Sequence, residues 1–217
     1  MIIAISGIDS AGKTTQIQAL LKYYESKGYL AIRLWSRGGY TPLYNWLKTV
    51  IRFLFKRKLP VPGKTEQREK LLHSRSGSTI WLTIAIVDLI LYYGVYMRLL
   101  VLLFRKIIIA DRYLIDTYID FRLNFKNVKF YRWRLWKMLL YIAPKPGISF
   151  LLTIPLHEAE IRAEIKNEPY PDGKEIRTRR YRYYRLLSKK TFRNIDCMQS
   201  IESVTSTLIT FIENPAI

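Results

Sequence analysis

Cysteine occurs once in the sequence, at Cys197, so no disulfide can form within the chain and a disulfide-stapled secreted scaffold is excluded. Histidine occurs twice, at His73 and His157, far apart and with no Cys/His spacing beside either, so neither a zinc site nor a His-centred catalytic group is expected. Acidic residues are scarce: 17 Asp and Glu stand against 36 Lys and Arg, giving a net charge of +19 that favours anionic partners. No basic segment precedes the first apolar run, so a secretory signal is not expected, and an intracellular, cytoplasmic setting is. Internal repeats and low-complexity tracts are absent.

What is present is apolar residue in quantity, 49% of 217 residues, enough for one sizeable domain with its own core. The opening run "MIIAI" predicts a buried parallel strand, and apolar residues at Ile17, Leu20, Leu21 and Tyr24 predict a helix closed by Gly28. "YLAIRLW" at Tyr29–Trp35 follows as a second strand, completing a βαβ unit. Further strands are expected at Lys106–Tyr113, Gly147–Ile154 and "NIDCMQ", with a terminal helix over 200–213 capped by Ser200. Lys56–Lys70, rich in charge with Pro60, Pro62 and Gly63, reads as an exposed loop. Trp81–Phe104 is apolar over a length that could span a bilayer, but Asp88 and Arg98 offset the gain. Its place between strands favours a helix buried in the fold or at a subunit interface.

The segment joining the first strand to the first helix carries the chemistry. Gly7, Gly12, Lys13 and Thr14 fit G-x-x-x-x-G-K-[ST], in which backbone amides cradle phosphates, the lysine reaches the β- and γ-phosphates and the hydroxyl holds Mg²⁺. Gly7, Ile8, Asp9, Ser10, Ala11, Gly12, Lys13, Thr14 and Thr15 are therefore the expected nucleotide-binding residues. Asp111, at the end of "IIIA", is the strand-end carboxylate expected to hold the metal directly or through water. The fold expected is a P-loop NTPase, a three-layer α/β/α domain with a parallel sheet of about five strands.

"GIDSAGKTTQ", "RGGYTP" at Arg37–Pro42 and "DRY" at Asp111–Tyr113 occur in the order and at the intervals of thymidylate kinases, which the chain resembles over nearly its whole length. The resemblance implies transfer of the γ-phosphoryl group of Mg²⁺·ATP to a nucleoside monophosphate, dTMP first, by a homodimer. It also implies that Asp9 faces acceptor and metal, that Lys13 meets the donor phosphates, and that Thr14 meets Mg²⁺. Arg37 and Arg112 would hold the acceptor phosphate. Ser10 stands where some members place arginine, so the transition-state cation is expected from a lid over 162–180, with Arg162 first and Lys166, Lys174 and Arg177 beside it.

Two segments depart from the family pattern. "AIVDLIL" offers Asp88 but Leu89 or Ile90 in place of a base-contacting arginine, and "LIDTYIDF" replaces small hydroxyl residues after "DRY". Asp116, Tyr118 and Asp120 either line an acceptor pocket or form the polar face of a helix. Other acceptors stay open, including lipid, polyprenyl or sugar hydroxyls, with membrane attachment through Trp81–Phe104 and "FKRK" at Phe55–Lys58. A nucleic-acid-binding ATPase, suggested by "RTRRYRYYR" at Arg177–Arg185, is disfavoured because its basic residues would cover several helix faces.

Overall fold

Five strands, β1 (Ile2–Gly7), β2 (Ala31–Trp35), β3 (Ile107–Asp111), β4 (Ile148–Thr153) and β5 (Arg193–Asp196), line up as one all-parallel sheet in the order β2-β3-β1-β4-β5, an α/β architecture compatible with three α/β/α layers. The structure, a computed structural model, describes residues 1–36, 41, 75–104, 106–166, 173–187 and 191–214. Arg37, His73, the loop expected over 56–70, the "FKRK" segment and the middle of the expected lid lie outside them.

The central strands β1 (Ile2–Gly7) and β3 (Ile107–Asp111) are buried at every position, because both faces of an internal parallel strand are covered. The edge strands β2 (Ala31–Trp35) and β5 (Arg193–Asp196) are half-exposed, while β4 (Ile148–Thr153) completes the sheet beside β1. Parallel register sets Ile5 beside both Asp111 and Phe150, so the carboxyl ends of β1, β3 and β4 open on one edge.

Helix α1 (Lys13–Ser26) follows β1 and ends as its sequence predicts. Gly28 takes φ 75°, its N–H donates to Glu25 O (2.9 Å) and the Tyr29 N–H to Tyr24 O (2.9 Å), the paired bonds of a Schellman stop. At the other end of the chain, the Ser200 hydroxyl accepts from Ser203 N–H (3.2 Å) and opens α8 (Ile201–Glu213). The buried Gln16 locks α1 to α8, donating to Ile201 O (3.2 Å) and accepting from Thr205 Oγ1 (2.8 Å).

The chain divides into two compact units: Met1–Ser36, Leu100–Ile119 and Lys145–Ile217, which hold the sheet, and Arg37–Leu99 with Asp120–Pro144. The second is helical among its described residues. Its helix α2 (Arg75–Leu91) runs into a π-helical turn, Tyr92–Met97, and then α3 (Arg98–Leu102), where the sequence predicts one regular helix. The glycine of that turn explains what the wider coil accommodates, since a Cβ on Gly94 would run into Ile142 Cγ2 of α5 (Arg134–Ile142). The core of this unit is aromatic. Phe121, on α4 (Leu114–Asn124), meets Trp81, Phe130 and Trp136 with ring centroids 5.9, 5.5 and 6.1 Å apart, mostly edge to face.

Because Phe121 touches so many neighbours, Phe121→Ala should lower unfolding free energy by about 3–5 kcal/mol. A urea midpoint close to that of the parent chain would show that the rings close over the gap.

Candidate functional site

The glycine loop between β1 and α1 owes its path to backbone that side chains resist. Gly7 takes φ 149°, and a Cβ there would lie 2.5 Å from Leu152 O on β4. Gly12, the N-cap of α1, sits in the left-handed region at φ 86° and turns the chain into the helix. Ile8 and Ala11 are buried and pin the loop from beneath, leaving Asp9, Ser10, Thr14 and Thr15 partly or fully exposed.

Above the loop lies a cleft of about 680 Å³, and its walls belong wholly to the sheet-bearing unit. Asp9 to Gln16 form its base, Arg33, Trp35, Asp111 and Arg112 one side, and Arg162 and Lys166 another. The N-terminus of α1 opens into it, with amides and helix dipole suited to an anion.

Lys13 is buried at this helix start. Its ammonium donates to the carbonyls of Gly7 (3.0 Å) and Ile8 (2.6 Å) and lies 3.8 Å from Asp9 Oδ1. Burial, helped by the nearby Arg112 charge, pushes its pKa down from 10.5 to about 8, while Asp9, Asp116 and Asp111 pull the other way.

Both carboxylates expected from the sequence are held by guanidinium groups. Asp9 accepts from Arg112 Nη2, and Asp111 Oδ2 accepts from Arg33 Nε (3.0 Å) and Nη2. Arg112 is buried and adopts φ 73°, a left-handed backbone that a residue with a side chain holds only under constraint.

That constraint comes from Asp116. The carboxylate is 1% exposed; Oδ2 accepts from Ser6 Oγ (2.6 Å) and Tyr113 N–H (2.8 Å), and Oδ1 accepts from Tyr184 Oη (2.5 Å) with Arg112 Nη1 3.8 Å away. It is neither a lining residue of the cleft nor part of a solvated helix face. It lies behind the loop, joining β1, the Arg112 corner and α7 (Lys174–Leu187). Burial and the Asp116 charge push the Tyr184 phenol well above its ordinary value, so it remains a donor. Sequence reasoning did not single out this role, although a signal existed: an acid three residues past the N-cap whose side chain returns to the N-cap amide is half of a capping box. Arg33 was also missed, though it is a charge inside an apolar strand two residues before Trp35 and so on the same face.

Of the four cations expected in the lid, Arg162 and Lys166 line the cleft. Arg162, on α6 (Leu156–Ile165), is steadied by Glu158 (2.7 Å) and by Cys197 O (3.3 Å). Arg177 instead pairs with Glu160 (3.7 Å), and Lys174 is exposed at the start of α7. Within "RTRRYRYYR", Arg180 and Tyr184 are buried, which breaks the alternation of exposed guanidinium and phenol. The Cys197 thiol, also in the cleft wall, is pushed up to about 11 by burial and by Asp196, which leaves it protonated and unreactive.

Among the described residues no group of three or more His, Cys, Asp or Glu side chains gathers to hold a metal. In the other unit Asp88 is buried and accepts from the Thr41 hydroxyl (2.5 Å to Oδ2), and Leu89 and Ile90, which stand in for the base-contacting arginine, are core residues. Compared with known proteins, the chain matches no family model and no curated protein sequence.

Removing the Asp116 carboxylate strands three donors, so Asp116→Ala should cost about 3–5 kcal/mol of stability, against about 1–2 kcal/mol for Tyr184→Phe, which removes only one partner. Equal losses in chemical denaturation would show that Asp116 is not the hub. For Lys13 the folded pKa, about 8, lies below the unfolded 10.5, so between those values the unfolded chain binds more protons and stability rises with pH. The stability deficit of the parent chain relative to Lys13→Met should therefore shrink by about 3 kcal/mol from pH 8 to pH 10.5. A pH-independent difference would mean that the ammonium is not desolvated.

Proposed function

We propose that the chain is a P-loop phosphotransferase. The observation that carries the reading is the strained glycine loop that aims the start of α1 and a buried lysine into a cleft flanked by Arg33, Arg112, Arg162 and Lys166. Five cationic groups around one helix N-terminus suit a polyphosphate, and the Asp9–Arg112 and Asp111–Arg33 pairs occupy two of them until the anion enters.

Within that class the reading is a nucleoside monophosphate kinase of the thymidylate kinase type, with dTMP the first acceptor. The γ-phosphoryl group of ATP passes to a phosphate oxygen of the acceptor, giving ADP and a nucleoside diphosphate, and no covalent enzyme intermediate is needed. Lys13 exchanges the Gly7 and Ile8 carbonyls for donor phosphate oxygens, whose charge holds the proton that burial disfavours. Arg112, already fixed by Asp116, offers its fork to the acceptor phosphate, and Arg162 and Lys166 supply positive charge beside the transferring group. Arg37, which the resemblance assigns to the same acceptor phosphate, lies outside the described residues.

The residues present suit magnesium. Thr14 is exposed at the cleft base with Asp9 and Asp111 nearby, and Mg²⁺ bound with a nucleotide takes only one or two protein oxygens beside phosphate and water. Of these, Thr14 and one carboxylate would hold it directly and the other carboxylate through water, and its charge would offset that of the phosphates.

The test is ADP release from Mg²⁺·ATP against dTMP, dUMP, UMP, CMP, AMP and GMP, with ATP binding measured separately. One monophosphate should support turnover, and Lys13→Ala should reduce it by about a hundredfold or more. ATP binding without turnover on any of the six would sink the monophosphate assignment; no ATP binding would sink the phosphotransferase reading itself.

A further inference from the structure

The net charge is divided unevenly. Arg37–Leu99 and Asp120–Pro144 contain 17 Lys and Arg against 4 Asp and Glu, so this smaller unit carries most of the chain's +19. The two acids described there, Asp88 and Asp120, are 4% and 3% exposed. Every exposed charge among the described residues of the unit is therefore a cation: Arg98, Lys126, Lys129, Arg132, Arg134 and Lys137.

The same unit exposes apolar surface in a pattern. Ile80, Val87, Leu91, Val95 and Leu99 recur at steps of seven and four along one helical run and are each more than two-fifths exposed. On α5, Leu140 and Tyr141 are exposed as well, Tyr141 at 88%. The two elements meet where Gly94 abuts Ile142, and Arg98 Nη2 donates to Ile142 O (2.8 Å), so the stripe reaches the end of α5 that carries Tyr141. The helical run Ser76–Leu102 has a mean hydropathy of 1.8 in its most apolar window, of which half is buried. The other side carries the buried Asp88 and the half-buried Trp81, which stacks onto Phe125 (5.0 Å), so that side is packed against protein.

Three occupants differ in what they satisfy. A second copy would bring cationic margins face to face with no described acid to answer them. A nucleic acid would answer the cations and leave the apolar stripe in water. An anionic bilayer surface takes both, with the stripe at the headgroup boundary and the Lys and Arg side chains among the phosphates. We propose that this unit docks on an anionic membrane surface through the exposed side of α2 and the C-terminal half of α5, lying on the bilayer rather than crossing it. The inference is independent of the phosphotransfer reading, since it uses no residue of the cleft.

The test is co-sedimentation of the full chain with vesicles of phosphatidylcholine alone and of phosphatidylcholine mixed with phosphatidylserine. The protein should pellet with the mixed vesicles only. The double substitution Arg134→Gln/Lys137→Gln should weaken that binding by about 25-fold, roughly fivefold for each cation, and Val95→Asp should weaken it further at unchanged thermal midpoint. Failure of the folded chain to pellet with mixed vesicles overturns the proposal. So does equal pelleting with both vesicle types. A dimer in light scattering that Val95→Asp dissociates would assign the face to a second copy, and binding to a single-stranded oligonucleotide without vesicle binding would assign it to nucleic acid.

Discussion

One buried carboxylate decides the shape of the cleft. Asp116 is a carboxyl group with almost no water contact, and such a polar group is buried only where donors surround it. Its donors come from three places in the fold: Ser6 at the end of β1, the amide that follows Arg112, and the phenol of Tyr184 on α7. Because each donor is tied to a different element, satisfying the carboxylate fixes all three at once. The left-handed backbone of Arg112 is the visible result. A conformation that costs of order 1–3 kcal/mol is held because leaving the carboxylate unsatisfied would cost more.

Around this hub the cleft is net positive, but its cations are held by partners rather than left as a bare basic patch. Asp9 and Asp111 each occupy a guanidinium, and Lys13 is folded onto loop carbonyls. An entering anion therefore displaces partners instead of meeting naked cations. The depressed Lys13 pKa expresses the same tension: the ammonium is desolvated and its present acceptors are neutral, so an anion is the stronger partner.

Much of this was legible in the residues. Apolar runs located β1 to β4 to within about two residues, the central ones because strands buried on both faces carry no period to mistake, whereas β5 ends three residues short of the expected "NIDCMQ". Gly28 and Ser200 marked helix ends for local reasons, backbone sign and a hydroxyl acceptor, that need no tertiary information. The loop from Gly7 to Thr14 is equally local. What escaped was what depends on distant partners. Asp116 reads as one more acid on an amphipathic helix until Ser6 and Tyr184 are brought to it, and Arg33 reads as an edge-strand charge until Asp111 lies beside it. The π-helical turn at Tyr92–Met97 was invisible for the same reason, since Gly94 and Ile142 are neighbours only in the folded chain.

The separations along the chain bear on how the molecule comes into being. Ser6 and Asp116 are 110 residues apart, and Tyr184 lies 68 beyond Asp116. Their meeting presupposes that β1 has already paired with β3 and β4, and parallel pairing closes long loops before it returns any contact energy. The cleft is therefore among the last features to assemble during folding. A nascent chain can close this network only after the C-terminal third has emerged, so no shorter intermediate carries a fully partnered Arg112 corner.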